Sequence, residues 1–269
     1  AVNLIFVLSN GGVHGNMEHA ISLIKLIKQQ RKNARIFLHL ITDGRDTAEK
    51  SAGSFLKILN HQVGKLASIA SIMGRFYAMD RDKNWDRTQV AYNAILGQAK
   101  QAMNPEQVID VSYKTDKTDE FIDPYCFGET TANLEKDIFI FTNFRTDRAI
   151  QLSRAFVDPA LTEIKRKAVT NRFYSMTTYD DNLGLKVLFT NIELNDRENC
   201  PLSDPLVKIL ANNQKSQFHI AETEKYAHVT YFFSGGISEP YMHQYNKMIP
   251  SKKLQSYDVF PQMGAQEIT

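Results

Sequence analysis

Four strand-like segments of the sequence are each followed by a short stretch with cationic or titratable side chains. The stretches read SNGGVHG, DGRD, GRFYAMDRDKNWDR and NFRTDR, and the side chains of interest are His14, Arg45, Asp46, Arg75, Arg81, Arg145 and Arg148. A guanidinium is a planar fork that binds a carboxylate or a phosphate through two parallel hydrogen bonds. Several forks at one place therefore predict a small ligand with more than one anionic group.

The elements that must position these side chains are strands alternating with helices. Apolar runs at Leu4–Leu8, Ile36–Ile41 and Ala67–Met73 begin about every 32 residues, which is the size of a βαβ unit. Asp137–Phe141 is a fourth such run. This alternation predicts an α/β fold, a largely parallel sheet flanked by helices on both faces. Because ligands bind outside the carboxyl ends of parallel strands, we expect the four stretches to converge there.

The rest of the pattern predicts two domains, 1–199 and 200–269, with a boundary near Cys200-Pro201. The further elements that it predicts are a helix over Arg87–Ala102, a helix over Thr146–Phe156, a strand over Arg172–Thr177, a helix over Leu202–Leu210, a strand over Gln217–Ala221 and a helix over Thr223–Phe233. After Gly235-Gly236 we expect a loop-rich tail.

Composition excludes several classes of protein. Lys plus Arg number 32 and Asp plus Glu 30, so the net charge of +2 argues against a generally basic nucleic-acid binder. Two cysteines are too few for a disulfide scaffold and favour a reduced, cytoplasmic setting. No apolar run approaches the ~20 residues of a membrane-spanning helix. The chain starts at Ala1 directly on a strand-like run, so we expect sequence upstream of it.

Each candidate residue also has a purely structural interpretation. Gly11-Gly12 can serve only a tight turn, and the absence of G-x-G-x-x-G and Walker motifs argues against a nucleotide. His14 alone is more often structural than catalytic. Asp43 and Asp46 fit turn or helix-cap positions. The arginines could instead be paired with nearby aspartates, namely Asp80, Asp82 and Asp147.

One acidic stretch imitates a calcium loop. Asp80, Asp82, Asn84 and Asp86 alternate as calcium ligands do, but Trp85 stands at the position that requires glycine. The twelfth position is alanine rather than glutamate. We therefore interpret this stretch as a substrate loop, and the sequence has no zinc-type or nucleophile-elbow motif either.

The motifs GGVH, DGRD, AMDRDKNWDR, NFRTDRA and ETEKYAHVT occur in this order along essentially the whole chain. In this respect the chain resembles the cofactor-independent phosphoglycerate mutases of the alkaline phosphatase superfamily. The resemblance implies interconversion of 3-phosphoglycerate and 2-phosphoglycerate through a phosphoserine intermediate, in glycolysis and gluconeogenesis, without bisphosphoglycerate. It also implies a phosphatase-like domain with an inserted glycerate-binding domain, and an intact protein that is a monomer.

The resemblance also implies roles for individual residues. His14, Asp46 and Lys225 are the expected catalytic residues: His14 and Lys225 near the phosphoryl group, and Asp46 for the proton of the glycerate hydroxyl. The residues expected to bind substrate are His14, Arg45, Asp46, Arg75, Arg81, Arg145, Arg148 and Lys225. A site with many cationic side chains and few proton-transfer groups suits phosphoryl transfer, which depends mostly on positioning and charge stabilisation.

Members of this family also have a nucleophilic serine and two metal ions, usually manganese. Their motifs do not occur in these 269 residues, and we expect them in sequence outside the chain. The chain is then the glycerate-binding domain plus a fragment of the phosphatase-like domain, without bound metal and inactive alone. Two alternatives remain open: a non-catalytic phosphoglycerate- or carboxylate-binding module, and a related metal-dependent phosphomutase or phosphatase.

Overall fold

The computed structural model describes residues 1–128, 132–189, 204–252, 254 and 257–269. The chain divides into two compact units, Ala1–Asn191 and Ile192–Thr269. The boundary expected at Cys200-Pro201 lies outside the described residues.

Eight strands form the sheet of the first unit: β1 Val2–Val7, β2 Ile36–Thr42, β3 Ser68–Gly74, β4 Lys100–Ala102, β5 Tyr125–Phe127, β6 Ile138–Phe141, β7 Phe173–Ser175 and β8 Lys186–Val187. Their order across the sheet is β4-β5-β3-β2-β1-β6-β7-β8. The pairings between described strands are parallel, apart from the antiparallel pair β3 and β5. The predicted α/β fold with a largely parallel sheet is therefore confirmed.

β1 lies at the centre of this sheet and is apolar on both faces. Leu4, Phe6 and Leu8 pack into one buried cluster, whereas Ile5 and Val7 pack into the other. Successive side chains of a strand point to opposite faces, so a continuous apolar run is what a strand covered on both sides requires.

Six helices accompany the described strands: α1 Met17–Gln30, α2 Ala52–Val63, α3 Arg75–Ala78, α4 Trp85–Ile95, α5 Pro105–Lys114 and α6 Ile150–Val157. Buried residues of α1, α2 and α5 contribute to the Leu4 cluster, and those of α4 and α6 to the Ile5 cluster. The sheet thus has helices on both faces. α1 begins where the Asn16 side chain accepts a hydrogen bond from the amide of Glu18, at 3.0 Å.

Three predicted elements have different bounds in the structure. The helix expected over Arg87–Ala102 ends at Ile95, because Gly97 takes a positive φ of 76° that interrupts the helix, and its last residues form β4. The helix expected from Thr146 begins at Ile150. The strand expected over Arg172–Thr177 is reduced to Phe173–Ser175.

The second unit contains α7 Leu206–Asn212, β9 Gln217–Glu222, α8 Thr223–Ala227, β10 Gln244–Ile249 and α9 Ala265–Ile268. The first residues of the helix expected over Leu202–Leu210 lie outside the described residues. α8 continues as one wider turn over His228–Phe232, where the π-type pattern replaces the α-helical one. The loop-rich tail expected after Gly235-Gly236 contains a strand that the sequence did not predict, β10, which pairs in parallel with β9. No helix in the described part of the chain is long and apolar enough to cross a membrane.

Candidate functional site

The loops that follow β1, β2, β3 and β6 meet at the carboxyl edge of the first unit's sheet. The carbonyl oxygen of His14 accepts a hydrogen bond from the amide of Phe144 at 2.9 Å, which joins the loop after β1 to the loop after β6. A Cβ on Gly11 would lie 3.0 Å from the carbonyl oxygen of Asp46. The loops after β1 and β2 therefore approach closely, as the sequence predicts.

Arg75 follows β3 directly and is only 3% exposed. Its Nη1 donates to Oδ1 of Asp43 at 2.7 Å and to Oδ2 of Asp46 at 2.6 Å. Burial lowers the pKa of Arg75, but hydrogen bonds and charge from the two aspartates outweigh burial and raise it. Arg75 is thus a permanently charged group fixed between two carboxylates.

Asp43 connects three strand ends through one buried carboxylate. Its Oδ1 accepts hydrogen bonds from the amides of Arg45 (3.3 Å) and Asp46 (3.1 Å), and its Oδ2 accepts one from the Ser9 hydroxyl (2.8 Å). Burial raises the pKa of Asp43, yet the Arg75 charge and these hydrogen bonds lower it overall. The turn interpretation of Asp43 therefore fits the structure, and this turn fixes the backbone of the two candidate residues that follow it.

Asp147 binds two other arginines of the site. Its carboxylate accepts from Arg145 Nε at 3.0 Å and Arg145 Nη2 at 3.2 Å, and from Arg81 Nη1 at 2.8 Å. Burial raises the pKa of Asp147, but the charges of Arg145, His14 and Arg81 lower it overall. The predicted pairing of arginines with Asp147 is thus present, and it holds the two guanidinium groups side by side.

His14 lies between two of these aspartates and is 5% exposed. Its Nδ1 is 3.6 Å from Oδ1 of Asp147, and its Nε2 is 3.9 Å from Oδ2 of Asp46. Burial and then the Arg75 charge lower the pKa of His14 to about 4, against the opposing effect of Asp147. The imidazole is therefore neutral at pH 7, with a proton on one ring nitrogen only.

Arg148 is half-buried and differs from the buried Arg75 in its partner. Its Nη1 donates to the carbonyl oxygen of Met79 at 3.1 Å, and no described carboxylate lies within ion-pair distance of it. Burial, followed by the charges of Arg81 and Arg75, lowers its pKa to about 10. A cation destabilised in this way by its surroundings is a favourable place for an anion to bind.

Arg45 is the exposed member of the set. Its side chain is 56% exposed, and its Nη1 lies 3.3 Å from Oε1 of Glu120. Its backbone amide donates to the Asp43 carboxylate, which also binds Arg75, so Arg45 belongs to the same site. The structure thus brings together the candidate residues His14, Arg45, Asp46, Arg75, Arg81, Arg145 and Arg148.

The acidic stretch that imitates a calcium loop is organised by protein donors. The Asp80 carboxylate accepts hydrogen bonds from the amides of Asp82 and Asn84 and from the side chains of Asn84, Arg87 and Gln151. With five protein donors, this carboxylate has little capacity left for a cation. The stretch is therefore a loop closed on Asp80, immediately before Arg81.

Lys225, the remaining candidate, lies in α8 of the second unit, and its side chain is exposed. Within the described part of the chain, no three His, Cys, Asp or Glu side chains form a group that could hold a metal ion.

Sequence reasoning missed two polar groups at the site. Glu120, the partner of Arg45, lies in a single turn over Asp119–Phe121 that no motif signals. Asn143 precedes the arginines of NFRTDR, is fully buried, and has no hydrogen-bond partner for its amide among the described residues. Its position within the NFRTDR stretch could have identified Asn143, whereas nothing local identifies Glu120.

The chain is similar in sequence and in structure to one group of proteins. Residues 1–181 match the family model for the BPG-independent PGAM N-terminus. The chain is 40% identical over 275 residues to a 2,3-bisphosphoglycerate-independent phosphoglycerate mutase of Pseudomonas putida, covering 100% of this chain and 52% of that protein. A protein of the same name from Helicobacter pylori is 38% identical over 269 residues, with 100% and 53% covered.

Among solved structures, the chain is similar to Leishmania mexicana phosphoglycerate mutase at low cobalt concentration. The TM-score is 0.81 at 28% sequence identity, over 99% of this chain and 50% of that one. The chain thus spans about half the length of the relatives that it matches.

Proposed function

We propose that this chain, which belongs to the 2,3-bisphosphoglycerate-independent phosphoglycerate mutase family, binds phosphoglycerate. The binding serves the interconversion of 3-phosphoglycerate and 2-phosphoglycerate. The predicted resemblance to this family is confirmed by the match over residues 1–181. The whole enzyme is an isomerase of glycolysis and gluconeogenesis that needs no bisphosphoglycerate. Its action through a phosphoserine, in the cytoplasm and as a monomer, is part of the same proposal.

The observation that supports phosphoglycerate as the ligand is the convergence of five arginines, Arg148 among them, at one edge of the sheet. Arg75, Arg81 and Arg145 have carboxylate partners, whereas Arg148 has a carbonyl partner and a pKa lowered by its cationic neighbours. A phosphorylated three-carbon acid has a carboxylate and a phosphate close together. Such a ligand can bind several guanidinium forks at once and offset their mutual repulsion.

Asp46 and His14 are the groups suited to handle the hydroxyl of the glycerate. Asp46 Oδ2 is held by Arg75 at 2.6 Å and lies 3.9 Å from His14 Nε2. A carboxylate fixed in this way can accept the hydroxyl proton as the phosphoryl group approaches or leaves. By the resemblance to the family, Lys225 is proposed to neutralise charge on the phosphoryl group.

The two manganese ions that the resemblance implies do not fit the described residues. No three metal-ligating side chains lie together there, and the carboxylates of the site are bound to arginines. We therefore assign this chain the binding and orientation of phosphoglycerate, and no step that involves a metal.

Calorimetric titration of the protein with 3-phosphoglycerate and 2-phosphoglycerate tests this proposal. We expect both to bind, more tightly than glycerate or inorganic phosphate, because only the phosphorylated acid has both anions. Affinity should fall with added salt, because exposed charges are screened within ~10 Å at 0.1 M. Equal affinity for phosphate alone would contradict the proposal.

Arg148→Ala is the variant that tests the supporting observation. We expect about a 10- to 100-fold loss of affinity for 3-phosphoglycerate, because a buried anion loses a charged hydrogen-bond partner. Arg154→Ala is the matched control, since Arg154 forms its ion pair with Asp158 on the surface of α6, and its affinity should stay within twofold of wild type.

The alternative function is a binding module without catalysis, which the lack of a metal-ligand group among the described residues favours for the chain by itself. A coupled assay for conversion of 3- to 2-phosphoglycerate with added manganese separates the two readings. For these 269 residues alone we expect no turnover, whereas the whole protein should turn over. Robust turnover by the chain alone would show that the missing groups lie within it.

A further inference from the structure

Asp147 contacts three residues of the candidate site. It lies in the loop after β6, and its two oxygens accept three hydrogen bonds, two from Arg145 and one from Arg81. The same carboxylate lies 3.6 Å from the buried Nδ1 of His14. One side chain thus connects the loops after β1, α3 and β6.

We propose that Asp147 is a positioning residue that keeps the ring proton of His14 on Nδ1 while it holds Arg81 and Arg145 together. Nε2 of His14 is then the unprotonated nitrogen and faces the side of Asp46. This inference deepens the proposed function and rests on it, because it names the group that prepares His14 for the ligand.

The surroundings of Nδ1 favour one tautomer of His14. This atom is buried, and no described residue forms a hydrogen bond with it. At 3.6 Å the contact with Asp147 is longer than a hydrogen bond, so the interaction is electrostatic. A lone pair on Nδ1 would face a carboxylate and be repelled, whereas an N–H there is attracted.

The other ring nitrogen faces a more distant acceptor. Asp46 Oδ2 is 3.9 Å from Nε2 and already accepts a 2.6 Å hydrogen bond from Arg75. The Asp147 oxygen nearest to His14 accepts from Arg145 at a longer distance, 3.0 Å. The shorter distance therefore favours the proton on Nδ1.

The tautomer of His14 determines the direction of its hydrogen bond with a ligand. An imidazole with its proton on Nδ1 accepts a hydrogen bond at Nε2 and does not donate one there. The hydroxyl of a glycerate can donate to it. Asp147 never needs to touch the ligand in order to determine this preference, because it acts through His14 and the two arginines.

Nitrogen NMR of the intact protein labelled with ¹⁵N-histidine tests this inference. We expect a pyrrole-type signal for Nδ1 of His14 and a pyridine-type signal for Nε2, at neutral pH and without ligand. His14→Gln identifies the resonance. A pyridine-type Nδ1 in the wild-type protein would overturn the inference, whether or not any variant folds.

The variant Asp147→Asn provides a second test of the inference. We expect its amide oxygen to stay on the arginines and its NH₂ to turn towards His14, which moves the ring proton to Nε2. An unchanged Nδ1 signal in this variant would also overturn the inference. Asp158→Asn is the matched control, because Asp158 holds Arg154 through Nε and Nη2 away from the pocket, and His14 should keep its wild-type signals there.

Titration of the same samples with 3-phosphoglycerate separates this inference from the proposed function. A wild-type protein that fails to bind phosphoglycerate contradicts the proposed function. A wild-type protein that binds it with the His14 proton on Nε2 contradicts only the role of Asp147.

Discussion

Asp43 illustrates how an arginine pocket depends on its carboxylates. Its side chain fixes Arg75 by an ion pair and fixes the backbone of Arg45 and Asp46 by hydrogen bonds. Buried ion pairs are worth little as substitutes for apolar packing, but breaking one leaves the partner charge uncompensated. The charge of Asp43 therefore matters to both the stability and the binding geometry of the pocket.

Asp43→Asn is expected to destabilise the protein by about 2–4 kcal/mol, because a buried guanidinium loses one of its two anionic partners. The measurement is urea unfolding followed by circular dichroism. Asp110→Asn, an exposed change in α5, is the control and should alter stability by less than about 0.5 kcal/mol. Equal effects of the two changes would show that the Arg75 pair does not need Asp43.

The sequence predicts which cations line the pocket but not how each is neutralised. The arginines follow strand ends, and strand ends of a parallel sheet meet at one edge, so their proximity follows from topology alone. The pairing of Arg45 with Glu120 depends on a loop 75 residues away in the chain. The hydrophobic periodicity of the sequence does not predict the position of that loop. Asp147 could be named as a partner, but the sequence does not show that it binds Arg81 and Arg145 together.

At the scale of elements, a row of polar side chains crosses three central strands. His39 in β2 lies between Ser71 of β3, at 2.8 Å from its Nδ1, and Asn3 of β1, at 3.1 Å from its Nε2. The Asn3 oxygen only accepts, so Nε2 donates to it and Nδ1 accepts from the Ser71 hydroxyl. Both ring nitrogens of the neutral imidazole therefore have hydrogen-bond partners within the sheet.

The pH dependence of stability follows from this neutral histidine. Burial lowers the pKa of His39 to about 3 in the folded protein, against 6.5 for the free group. The unfolded chain thus binds the extra proton first, and stability falls as pH drops from about 6.5 towards 3, by at most about 1.4 kcal/mol per pH unit for this group. His39→Gln should be less stable at neutral pH but should lose this part of the slope.

Urea unfolding of wild type and His39→Gln at several pH values between about 4.5 and 7.5 measures this difference. His14→Gln is an informative companion, because burial also lowers the pKa of His14, to about 4. If the slope of the His39 variant equals that of wild type, the protein takes up the proton elsewhere.

The end of β3 is packed against another loop at a glycine. A Cβ on Gly74 would lie 2.2 Å from the carbonyl oxygen of Glu120 and 2.8 Å from the amide nitrogen of Ile122. Both are backbone atoms, so they cannot rotate away as a side chain would. The close approach sets the position of Arg75, the next residue.

Gly74→Ala is therefore expected to destabilise the protein by about 1–3 kcal/mol and to weaken phosphoglycerate binding through the displaced Arg75. Gly53→Ala in α2 is the matched control, since nothing lies within 4 Å of its Cβ position. There the same change should stabilise by about 0.5–1 kcal/mol. Thermal unfolding of both variants gives the comparison, and a neutral Gly74→Ala would contradict the packing.

Long apolar strands could be predicted at this scale, and short ones could not. β1, β2 and β3 have six or seven residues each and clear apolar runs. β4, β5 and β8 have two or three residues, too few to show a period. The predicted elements do not include α5. Asn104 as N-cap and Pro105 at the first position are nevertheless both signals of a helix start.

At the scale of the whole molecule, the first unit contains a sheet, two buried clusters and seven of the eight expected substrate-binding residues. Lys225 belongs to the second unit. A protein of residues 1–191 is therefore expected to unfold cooperatively and to retain phosphoglycerate binding. Its affinity should equal that of the full chain with the substitution Lys225→Ala.

Calorimetric titration of both proteins with 3-phosphoglycerate makes this comparison. Residues 1–191 with Arg148→Ala are the control and should lose affinity as the full chain does. Loss of all binding in the shorter protein, with its thermal transition intact, would show that the second unit contributes more than one lysine.

The central position of β1 also determines when the pocket can form during folding. β1 pairs with β2 on one side and with β6 on the other, so Val2 lies opposite both Ile36 and Ile138. The second pairing closes a much longer loop, and such contacts form slowly because closure costs more chain entropy. His14 and the NFRTDR loop meet only once β6 has docked. In a refolding experiment, ligand recognition should thus recover after most of the helical signal.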